Sequence, residues 1–100
     1  MRVTSALEQA LLDAVRRARE GDWHGAHAIV QQHEGDARAD WLHAVLHRIE
    51  GDEGNAGYWY RRCGRTPPGT ESPQTELARI AEVLSGQQKH AAAGPRSAEQ

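Results

Sequence analysis

Two stretches thirty residues apart carry the same punctuation. Residues 20–30 read EGDWHGAHAIV and residues 50–60 read EGDEGNAGYWY, so Glu20, Gly21, Asp22 and Ala26 recur as Glu50, Gly51, Asp52 and Ala56. Upstream, Leu12, Ala14 and Val15 recur as Leu42, Ala44 and Val45 at the same offset. A period of this length implies a supersecondary unit that buries its apolar face against a copy of itself.

The unit reads as a helical hairpin. Ser5 and Glu8 have the spacing of a capping box, and Leu7, Leu11, Ala14 and Ala18 follow on one stripe. Gly21 can take the left-handed conformation that ends this helix. Asp22 can cap the next, which the pattern carries to about His33 with Trp23, Ala26 and Val30 on one side. The second copy is expected to open at Asp40, close at Gly51, open again at Asp52 and close at Gly64. Its core stripe is Leu42, Val45 and Ile49, with Trp41 beside it, joined by Ala56, Trp59, Tyr60 and Cys63. A fifth helix follows Thr66-Pro67-Pro68-Gly69, with Ser72 as cap, Pro73 in its first turn and Gly86 past its end. Residues 87–100 are polar and rich in Ala and Gly without periodicity, and read as a disordered tail. The expectation is therefore an all-α domain over residues 1–86: two stacked hairpins with a C-terminal capping helix.

Small, large apolar and small residues at Ala56, Tyr60 and Cys63, followed by Pro68, resemble the second-helix pattern of tetratricopeptide repeats. Ala26, Val30 and His33 are a weaker copy. The resemblance implies tetratricopeptide-like architecture on a shorter period. Residues 41–62 are also similar to a group of small uncharacterised microbial proteins sharing W-L-H-A-x-L-H-R-x-E-G-D-x-x-N-A-x-Y-W-Y-R-R. That resemblance covers about a quarter of the chain and implies no activity.

Residues 40–65 hold two His, two Trp, two Tyr, the lone Cys63 and four Arg. On the third helix His43, His47 and Glu50 fall within about 60° of one another, on a face other than the apolar stripe. His at i and i+4 can share a metal ion. Glu50 lies about 10.5 Å along the axis from His43, too far to complete that site. A third ligand has to come from another element, with His24 or His27 the candidates. No metal or other cofactor is expected on this pattern, and His43 and His47 remain candidate ligands only. The structural alternative pairs His47 with Glu50 and leaves the stretch as architecture. In stacked hairpins the first helices line a concave surface, where His43 and His47 would sit. Asn55, Tyr58 and Arg62 share an edge of the fourth helix.

The reading that follows is a small helical-repeat binding protein. Its groove, lined by His43, His47, Glu50, Asn55, Tyr58 and Arg62, takes a protein segment or a small anionic ligand. The second reading is an enzyme or metalloprotein using the two imidazoles as general acid and base or as ligands. No nucleophile–base pair or second carboxylate supports it. A net charge of −2 and a three-Arg patch give no basis for nucleic-acid binding. No apolar run approaches the ~20 residues of a membrane span. Glu8 and Asp13 interrupt the first apolar stretch, which argues against a signal peptide, and a single cysteine suits a reducing, cytoplasmic setting. A face rich in Trp leaves homo-oligomerisation open as a third role.

Overall fold

A computed structural model describes residues 4–86. Five helices follow one another: α1 (Ala6–Arg19), α2 (Trp23–Gln31), α3 (Ala37–Glu50), α4 (Glu53–Arg62) and α5 (Pro73–Ser85). There is no strand among the described residues. The proposed tail, 87–100, lies outside them.

The helix boundaries follow from local hydrogen bonding. Ser5 accepts from the Glu8 amide while the Glu8 carboxylate accepts from the Ser5 amide, the full capping box. The two hairpin turns use the same bonds thirty residues apart. The Asp22 amide donates to the Arg17 carbonyl at 2.8 Å and the Asp52 amide to the His47 carbonyl at 2.9 Å. Gly21 (φ 91°) and Gly51 (φ 88°) adopt the left-handed turn that these bonds require. Asp22 then caps α2 by accepting from Gly25, and Asp52 caps α4 by accepting from Asn55. Ser72, Pro73 and Gly86 bound α5 as their spacing predicts.

The start of α3 differs from expectation. Asp36, not Asp40, is the cap, accepting from the Arg38 and Ala39 amides. Asp40 lies one turn inside and is buried, where its carboxylate accepts from the Gly35 amide and holds the preceding turn. Both aspartates are good caps by type. The choice between them is made by which side chain the folded turn can reach.

α1 packs with α2, α3 with α4, and α2 with α3; α5 lies against α1 and α3. The C-terminal helix thus covers α1 as well as α3. α3 touches each of the other four helices, and its residues from Ala39 to His47 are all buried. A helix buried on every face is a core helix rather than an amphipathic one. Leu42, Val45, Ala56, Trp59 and Tyr60 join that core, together with Leu11, Val30, Leu77, Ile80 and Leu84. Ile49 does not. It is 37% exposed because burial of α3 stops at His47 and the last turn emerges from its neighbours.

One carboxylate ties three helices together. Glu76 on α5 is 1% exposed. It accepts from Trp41 Nε1 at 2.8 Å, from the Tyr60 hydroxyl at 2.7 Å and from the Arg48 guanidinium at 2.7 Å. Arg48 also donates to the Glu71 carbonyl at the approach to α5. Burial, reinforced by the Glu76 charge, holds the Tyr60 phenol well above its ordinary range, so it stays a donor. Glu76→Ala strands three buried donors and is expected to cost ~3–5 kcal/mol in denaturant melts. Leu42→Ala is expected to cost ~2–5 kcal/mol as a cavity in the core. Ile49→Ala should stay within ~1 kcal/mol.

Candidate functional site

The residues singled out from the sequence separate into two places. His43 and His47 are 2% and 8% exposed, so they do not line an open groove. They face the α2–α3 interface, because α2 packs where a solvent-filled concave face was expected. Glu50, Asn55, Tyr58 and Arg62 are all exposed, with Tyr58 at 45%.

The interior place is an aromatic and imidazole cluster. α2 contributes Trp23 and His27, one turn apart, and α3 contributes His43 and His47, also one turn apart. His27 Nε2 and His43 Nε2 are 3.0 Å apart. The His43 and His47 rings stack at 5.1 Å, and those of His27 and His47 meet edge-on at 5.5 Å. Two indoles wall this group. Trp23 stacks on His27 at 4.6 Å and Trp59 stacks on His43 at 3.9 Å. Trp23 is itself pinned by donating from Nε1 to the Leu46 carbonyl at 2.6 Å. The expected His47–Glu50 pair is present, with Nδ1 2.9 Å from Glu50 Oε1.

Burial governs the charge state of these rings. It pushes His43 down to about 4, with the neighbouring His27, His47 and Arg62 adding to the effect. Burial, then His47, lowers His27 as well. Both are neutral imidazoles at neutral pH. His43 Nδ1 is the buried side-chain nitrogen that finds no hydrogen-bond partner among the described residues.

His27 is the residue the sequence reading placed only as one of two alternatives. His24 touches Trp23 edge-on but stays outside the group. A signal for the cluster does exist at the thirty-residue offset. His43 and His47 stand where the first copy has Asp13 and Arg17, and Trp23 and His27 stand where the second has Glu53 and Gly57. Asp13 and Arg17 form an exposed ion pair at 3.0 Å on α1. The four cluster residues are thus places where the two copies part company.

The exterior place is the outer edge of α4. Arg62 donates to the Tyr58 hydroxyl at 3.2 Å, and its guanidinium carbon lies 5.9 Å from the Tyr58 ring centre and 4.9 Å from that of Trp59. Tyr58 and Trp59 meet edge-to-face at 5.1 Å. Asn55 is engaged locally, donating to the Asp52 cap at 2.8 Å. Trp59 takes part in both places, through Arg62 and through His43.

The depressed imidazole has a consequence for stability. In the unfolded chain a histidine titrates near 6.5, whereas folded His43 takes up its proton only near 4. The folded state then binds fewer protons across that window. Its stabilisation is complete above pH ~6.5 and is lost as the pH falls toward 4. With EDTA present, the unfolding free energy should drop by ~2–3 kcal/mol between pH 7 and 4.5. His43→Leu should flatten much of that slope in denaturant melts at three pH values.

The chain matches no protein-family model, no curated protein and no solved structure.

Proposed function

We propose that the chain is a small helical interaction module that takes a segment of a partner protein against the outer edge of α4. The observation that carries this reading is the exposed Tyr58–Arg62 pair on α4, backed by the buried Trp59 ring. Tyr, Trp and Arg are the side chains that dominate binding energy at interfaces, because they bring large, rigid contact area together with a polar handle. Tyr58 and Ile49 are the two large hydrophobic side chains exposed among the described residues.

The position of α4 supports the same reading. It packs along α3 and meets α5 through the Tyr60–Glu76 hydrogen bonds, while α5 has taken the surface offered by α1 and α3. Read as a tetratricopeptide-like stack of two hairpins, α4 is the last helix of the second hairpin, where a further helix would continue the array. A partner helix laid there extends a packing already begun. Glu50, Asn55 and Arg62 supply polar groups for orientation, and a small anionic ligand at Arg62 is the alternative occupant. His43 acts from behind this surface by stacking on Trp59, and neither it nor His47 serves as a contact. No described helix is long and apolar enough to cross a membrane, and a cytoplasmic partner suits the free thiol of Cys63.

A photo-reactive side chain in place of Tyr58 tests the proposal in cells. A discrete protein adduct is expected from that position and not from Gln9 on α1. Arg62→Ala should reduce the adduct at least ~10-fold, as for an interface anchor, while leaving Tm unchanged. Equal labelling from both positions, or no adduct from Tyr58, overturns the reading.

A further inference from the structure

His27, His43 and His47 each offer a ligand nitrogen, and the three nitrogens all lie within 4.8 Å of one another. The edge of α4 makes no use of them. We propose that these three imidazoles form a binding site for one divalent transition-metal ion of the zinc, copper and nickel class. The inference goes beyond the docking edge and stands independently of it. It also revises the expectation that no metal is bound, which rested on the lack of a third ligand; α2 supplies it as His27.

The geometry is close to that of a loaded site. Two nitrogens on a tetrahedral ion with bonds of ~2.0–2.1 Å lie ~3.3 Å apart. His27 Nε2 and His43 Nε2 are 3.0 Å apart, so an ion between them asks for a shift of a few tenths of an ångström. Glu50 sets the orientation of the third ring. By accepting from His47 Nδ1, it leaves the lone pair on Nε2. A carboxylate behind a ligating histidine is the usual second-shell arrangement, fixing the tautomer and raising the basicity of the ligand. Trp23 and Trp59 hold the other two rings by stacking, and the Leu46 carbonyl holds Trp23. Little ordering is left to be done on binding.

The chemistry of the donors selects the class of ion. Three imidazole nitrogens suit borderline metals and not calcium or magnesium, which require oxygen ligands. Three protein ligands leave one tetrahedral position for water or another small ligand, the pattern of exchangeable rather than purely structural sites. Packing alone gives no reason for three titratable rings gathered in one helix interface. Apolar side chains of similar volume would stabilise the interface more.

The test uses the full chain, free of any affinity tag and stripped with EDTA. Cobalt(II) is titrated and followed by visible absorption; zinc(II) is measured by competition with a chromophoric chelator. One equivalent of cobalt is expected, with the intense absorption of a four-coordinate ion that zinc then bleaches. His27→Gln and His47→Ala should each lower affinity at least ~100-fold, more than loss of a second-shell group. Glu50→Gln should lower it ~10–100-fold with stoichiometry unchanged. His24→Ala and His33→Ala should leave it intact. Far-UV circular dichroism checks that each variant is folded. Should His43→Ala unfold, half-buried His27 and exposed Glu50 still decide the matter. No cobalt uptake, a weak six-coordinate spectrum, full affinity in His27→Gln, or equal loss in His24→Ala overturns the proposal.

Discussion

The Glu76 carboxylate, buried where three helices meet, is the constraint on which the rest of the fold depends. A charge taken out of water is tolerated only when its lone pairs are met, and here Trp41, Tyr60 and Arg48 meet them. Each donor comes from α3 or α4, whereas Glu76 belongs to α5. The last helix therefore cannot leave without stranding all four groups at once. With α5 in place, α1 gains a cover and α3 becomes enclosed on every side. Leu77, Ile80 and Leu84 supply the apolar area of this contact. Apolar contact has no direction of its own, so the hydrogen bonds specify its register.

Enclosure of α3 creates the histidine cluster. A helix that presents every face to a neighbour must bury whatever its sequence places there, including two imidazoles and a carboxylate. Asp40 is met by the Gly35 amide. The imidazoles are met by one another, by Glu50 and by the faces of two indoles. Flat rings suit this role because they combine a polar edge with an apolar face. The same enclosure keeps His43 and its α2 neighbour His27 neutral at neutral pH. Stability and ligand capacity thus draw on the same burial.

The outer edge of α4 follows from the same packing by contrast. α5 fills the surface along α1 and α3, and α4 packs along α3 with only its Tyr60 end reaching α5. Its aromatic residues consequently divide: Trp59 and Tyr60 turn inward, while Tyr58 remains outside under Arg62. Trp59 stands between the two regions. It stacks on His43 within and takes the Arg62 guanidinium near the surface.

Helix limits and turns were legible in the chain itself, because caps are contacts between residues two to five apart. Ser5 with Glu8, Asp22, Asp52, Ser72 and the glycines at 21, 51 and 86 act as their spacing implies. Of the apolar positions common to both copies, Ala14 with Ala44, Val15 with Val45 and Ala26 with Ala56 are buried in each, whereas Leu12 is only partly buried where Leu42 is fully so. What spacing could not reveal was which polar residues would be enclosed. Burial of His43, pairing of His27 with it, and the seat of Glu76 depend on residues 16 to 35 positions away. Ile49 continues an apolar stripe along α3 and yet emerges, since a stripe records only the helix that bears it. Periodicity names the face of a helix that is able to be buried. The arrival of other helices decides which faces are, because desolvation depends on everything that surrounds a side chain and not on its place in the chain.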